Sequence, residues 1–76
     1  MKIEILGTGC SKCKILESNA KEAIVKIGGF HSVQKVEDIM QIMEYGVTST
    51  PALVIDGKIK STGKLLSVSE ILELIA

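Results

Sequence analysis

Apolar and polar side chains alternate at the start of the chain, with Met1, Ile3 and Ile5 set against Lys2 and Glu4. That is the period of a strand with one buried face, and it predicts a strand over Met1 to Leu6. Gly7-Thr8-Gly9 interrupts it with residues suited to a tight turn. The period then changes. Ile15, Leu16, Ala20, Ala23, Ile24 and Ile27 recur at helical steps and share one face, while Lys14, Glu17, Lys21, Glu22 and Lys26 fall largely elsewhere. Gly28-Gly29 ends this helix as a C-terminal cap does.

Phe30 to Val36 reads as a second, weaker strand. Asp38 to Tyr45 reads as a short helix that starts near Asp38, places Ile39, Met40, Ile42 and Met43 on apolar faces, and stops at Gly46. Met40 and Met43 are expected to fill gaps in the core. Ala52 to Ile55 is a buried strand, and Asp56-Gly57 signals a two-residue hairpin into Lys58-Ile59-Lys60. Ser67 and Glu70 have capping-box spacing, and Ile71, Leu72, Leu74 and Ile75 give the last helix an apolar face. The order is βαβαββα in one domain over residues 1–76. Its first two strands pair in parallel through a right-handed helical crossover, and the hairpin extends the same sheet. The expected fold class is α/β, a four-stranded mixed sheet with helices on both faces.

A chain of 76 residues buries only about 60% of its unfolded surface, so the core must be simple. With 46% hydrophobic residues but only Phe30 and Tyr45 as aromatics, that core is aliphatic. Nine basic residues balance nine acidic ones. The chain therefore lacks the broad positive field that gathers phosphates or anionic lipid, and it lacks the aromatic platforms of single-strand binders. Nucleic acid is excluded as a partner on these grounds. No apolar run approaches the roughly 20 residues of a membrane span, and the first strand is too short for a signal peptide. A cytoplasmic protein acting as a monomer is the expectation.

Two cysteines without a secretory signal point to redox chemistry or metal rather than a disulfide scaffold. Cys10-Ser11-Lys12-Cys13 falls where the Gly-rich loop becomes a helix. Cys10 then meets the amides and positive dipole end of that helix, with Lys12 and Lys14 adding positive charge, and this favours a thiolate. Cys13 sits one turn inside, close enough for the sulfurs to bond. Cys10 is the expected nucleophile and Cys13 the resolving thiol.

At this point the chain resembles the thioredoxin and glutaredoxin superfamily, most closely the minimal archaeal and bacterial glutaredoxin-like proteins called redox-active disulfide proteins. The carriers of the resemblance are GTGCSKC after the first strand, Thr48-Ser49-Thr50-Pro51 before a buried strand, the Asp56-Gly57 hairpin and Gly63. It implies a thioredoxin-like fold and a thiol–disulfide oxidoreductase active in electron transport and cell redox homeostasis. It implies a cis proline at Thr50-Pro51 beside the cysteines, with Thr50 offering its backbone to an extended substrate. It also implies a buried acid at Glu4, six residues before Cys10, that moves protons for the resolving cysteine. The alternation of Lys2 and Glu4 with Ile3 and Ile5 instead places Glu4 on an exposed strand face, so both readings stand. The chain departs from better-known relatives in having Ser11-Lys12 between the cysteines, no tryptophan before Cys10, and Gly63 alone before Lys64. The expected partners are a protein disulfide and an upstream reductase, with no prosthetic group beyond the Cys10-Cys13 pair.

The competing reading is a soft-metal carrier, since two thiolates suit Cu(I) and heavy-metal-associated domains also place CxxC between first strand and first helix. Those domains run βαββαβ and end in a strand, whereas this sequence ends in a capped helix and carries Ser49-Thr50-Pro51. Structural zinc needs four ligands, and His31 is the one further candidate. His31 is expected to be a solvated residue at a strand edge. A redox-sensing interaction module is the remaining alternative.

Overall fold

The computed structural model describes residues 1–9 and 11–75. Their order is β1 (Lys2–Leu6), α1 (Ser11–Ile27), β2 (Ser32–Val36), α2 (Ile39–Glu44), β3 (Ala52–Ile55), β4 (Lys58–Thr62) and α3 (Val68–Ile75). The sheet is mixed, in the order β2-β1-β3-β4, with β1 parallel to β2 and both β1–β3 and β3–β4 antiparallel. This is the α/β thioredoxin-like architecture that the sequence predicts.

The two faces of β1 and β3 build two cores. Ile3, Ile5, Leu53 and Ile55 pack with Leu16, Ala20 and Ala23 of α1 and Ile71 of α3, so two helices share one face. Leu6, Ala52 and Val54 point the other way and meet Val36, Ile42 and Val47, with Tyr45 against them. All four residues of β3 are buried, as a strand covered on both faces requires.

Local chemistry sets the element ends. Asp56 and Gly57 both have positive φ, 50° and 82°, which is the backbone a two-residue hairpin demands and which Asp and Gly tolerate. Asp38 caps α2, its carboxylate accepting from the Met40 amide at 2.9 Å. The capping box of α3 forms as expected: the Glu70 amide donates to Ser67 Oγ at 3.2 Å and the Ser67 amide donates to Glu70 Oε1 at 3.0 Å. Those bonds from Ser67 hold the Glu70 carboxyl below its ordinary value.

Several sequence expectations need correction. The second strand starts at Ser32, and Phe30 before it is fully exposed. On α1, Ile15 and Ile27 lie largely exposed while Cys13 joins Leu16, Ala20 and Ala23 on the buried stripe. Met40 and Met43 are not core gap fillers, being 67% and 64% exposed. A six-residue helix makes less than two turns and presents one contact stripe, which Ile42 occupies. His31 is half-buried rather than solvated, and its Nδ1 is shut off from solvent without a hydrogen-bond partner among the described residues.

Candidate functional site

The site forms where β1 ends, α1 begins and the chain enters β3. Beyond Leu6 the backbone bends at the buried Gly7, which donates its amide to the Val36 carbonyl at 3.0 Å. Two residues later Gly9 turns with φ 85°. Cys10 lies outside the described residues, so its expected place and its bridge to Cys13 are not part of the geometry that follows. In sequence it directly precedes Ser11, the first residue of α1, whose first turn holds no acidic side chain to offset the helix's positive end.

Cys13 is only 3% exposed and faces inward, so it does not present its sulfur to solvent. Its Sγ lies against Gly7 so closely that a Cβ placed there would overlap the sulfur, and Thr50 Cβ lies 3.9 Å from the same point. Cys13 Sγ and Thr50 Cβ thus both approach Gly7. Lys12, next to Cys13 in the first turn of α1, is exposed to solvent.

The Thr50-Pro51 peptide bond is cis. Pro51 is fully buried while Thr50 is exposed, so the chain rises to the surface at Thr50 and drops into the core one residue later. The loop is fastened from behind, where the Gly63 amide donates to the Pro51 carbonyl at 2.9 Å. A Cβ on Gly63 would stand 3.0 Å from Ser49 Cβ, and φ there is 68°, so both space and backbone call for glycine. Gly63 thus braces the loop that carries Thr50 and Pro51.

Glu4 departs from the exposed strand face that alternation predicts. It is 7% exposed, and the Tyr45 hydroxyl donates to its Oε1 at 2.8 Å. The hydrogen bond to Glu4, then burial and the nearby Glu4 charge, raise the Tyr45 phenol above its ordinary value. Glu4 alternates with Ile3 and Ile5, so it points towards α2 and not towards the face packed by α1. A buried carboxylate needs such a partner to remain under the surface. Nothing local announces the pair, because Tyr45 is 41 residues away in sequence.

Glu37 was also unmarked by motif reading. Its Oε2 lies 3.3 Å from where a Cβ on Gly9 would stand, and its other oxygen is 3.7 Å from Lys35 Nζ. The Gly-rich loop therefore has an acid, itself paired with Lys35, close to Gly9. A groove of about 720 Å³ runs along β4 and α3, and none of the predicted site residues lines it. Among the described residues no group of three or more His, Cys, Asp or Glu gathers into a metal-binding cluster, and no helix is long and apolar enough to cross a membrane.

Comparison with known proteins matches this arrangement along the whole chain. A family model for the thioredoxin domain matches residues 1–76. A thioredoxin of Methanothermobacter thermautotrophicus is 41% identical over 76 residues, covering 100% of this chain and 99% of its own. A thioredoxin of Methanocaldococcus jannaschii is 41% identical over 71 residues, covering 93% of this chain and 81% of its own. With a thioredoxin-domain family model matching residues 1–76 and 41% identity to two thioredoxins, the chain belongs to the thioredoxin domain family of thiol–disulfide oxidoreductases.

Proposed function

We propose that this chain exchanges disulfides through Cys10 and Cys13 on protein or small-thiol partners, as a cytoplasmic monomer with no prosthetic group. The observation that carries the reading is the seat of Cys13, 3% exposed on the first turn of α1 with its sulfur against Gly7. A thiol placed inward there is poorly accessible to a substrate but well placed to attack a neighbour three residues before it.

The Cys10 thiolate attacks one sulfur of a substrate disulfide, whose S–S bond breaks and expels the first substrate thiolate. A mixed disulfide now joins Cys10 to the second substrate sulfur. Cys13 then attacks the Cys10 sulfur, the Cys10–substrate bond breaks, and the second substrate thiolate leaves. Two electrons pass from the dithiol to the substrate, and the thiol protons end on the substrate thiols through solvent. An upstream dithiol reductase restores Cys10 and Cys13. Thr50, exposed beside Cys13, offers backbone to an extended substrate, and Lys12 supports the Cys10 thiolate by its charge. Glu4 is buried and accepts from the Tyr45 hydroxyl on the α2 face.

Brief alkylation of the reduced protein with iodoacetamide near neutral pH, mapped by mass spectrometry, tests this division of labour. The adduct should form on Cys10 first, with a rate that titrates below the ordinary thiol value of about 8.5. Equal labelling, or labelling of Cys13 first, overturns it.

A further inference from the structure

Gly7 has no backbone reason to be glycine. Six other glycines, at 9, 28, 29, 46, 57 and 63, adopt positive φ, and Gly7 does not. Its amide donates to the Val36 carbonyl where the chain bends out of β1, and its φ lies outside the left-handed region that favours glycine. The space around it is what excludes a side chain. A Cβ built there overlaps Cys13 Sγ, comes 3.3 Å from Cys13 Cβ and 3.9 Å from Thr50 Cβ. At Gly28, Gly46 and Gly57 the same construction meets nothing within 4 Å.

From this we infer that Gly7 is a positioning residue for the resolving step: its bare Cα is the seat that holds Cys13 Sγ inward at the end of β1. The inference rests on the cysteine roles proposed above. Cysteine has a short side chain with one heavy-atom torsion, so a methyl group at position 7 leaves the sulfur two escapes. It rotates about χ1, or the first turn of α1 lifts. Either way Sγ leaves the place from which it attacks the Cys10–substrate disulfide. Displacement of an attacking atom by about 1 Å costs on the order of a hundredfold in rate. The first step, attack by Cys10 on substrate, does not use that sulfur.

The test compares Gly7→Ala with the unaltered chain in three measurements, using insulin as the disulfide substrate. Formation of the mixed disulfide should stay within about twofold, while its resolution should slow at least tenfold. The dithiol equilibrium against dithiothreitol should move about tenfold away from the Cys10-Cys13 disulfide, a shift of about 30 mV. Independently of any turnover, iodoacetamide should label Cys13 faster in a Cys10→Ser background once Gly7 is replaced, because the sulfur has been pushed out of its seat. Unchanged resolution, or unchanged Cys13 labelling, overturns the inference. Should Gly7→Ala fold poorly, the double variant Gly7→Ala with Cys13→Gly removes both close atoms and should melt like Cys13→Gly alone. Failure of that rescue also overturns it. A chain that forms no mixed disulfide even when unaltered counts against the cysteine roles, and the labelling arm then still decides whether Gly7 seats Cys13.

Discussion

Cys13→Ser should convert a passing adduct into a lasting one. The variant keeps the Cys10 nucleophile but lacks the thiol that ends the reaction, so mixed disulfides should accumulate and turnover should fall by at least about a hundredfold. Affinity capture of Cys13→Ser from its native cells should return partners that dithiothreitol releases, and these identify the substrate class. Cys10→Ser should trap none to a comparable extent, because Cys13 at 3% exposure faces away from an incoming disulfide. Trapping by Cys10→Ser instead would reverse the two roles while leaving the fold untouched. No adduct with either variant under oxidising challenge would favour a sensing or metal-handling protein.

The second large effect is on stability. Leu53 is 0% exposed, sits in β3 between β1 and β4, and packs with Ile5, Leu16 and Ile71. Leu53→Ala removes buried apolar surface and leaves a cavity in a rigid sheet, at a cost of about 3 kcal/mol. For a domain of this size that lowers Tm by on the order of 15 °C. Met40→Ala, at a position 67% exposed, should change stability by no more than about 0.5 kcal/mol. Urea denaturation of both variants checks the contrast. A Met40→Ala loss matching that of Leu53→Ala would mean that α2 packs differently from the description here.

Most of what the sequence revealed came from chemistry that acts over a few residues. The Asp56-Gly57 hairpin, the Ser67/Glu70 capping box, the Asp38 cap and the order of elements were all legible, because each depends on neighbours within four positions. The Thr50-Pro51 bend was legible only through family resemblance, since proline permits cis without requiring it. What escaped was non-local. Glu4 alternates like an exposed residue; its burial was legible only through the resemblance, and its partner Tyr45, 41 residues on, was not legible at all. Met40 and Met43 carry a helical apolar spacing, yet six residues of helix leave them outside the contact stripe. Gly7 reads as one more turn glycine until the Cys13 sulfur is found against it.

Turnover of a protein disulfide by the purified chain is the most direct test of the account. With dithiothreitol as electron source, the unaltered protein should accelerate the reduction of insulin, and Cys10→Ser should lose that acceleration entirely. The reduced protein, titrated with Cu(I) against a competing chelator, should bind no better than an ordinary dithiol. Tight one-to-one retention of Cu(I) with no acceleration, or full activity in Cys10→Ser, would contradict disulfide exchange through Cys10 and Cys13.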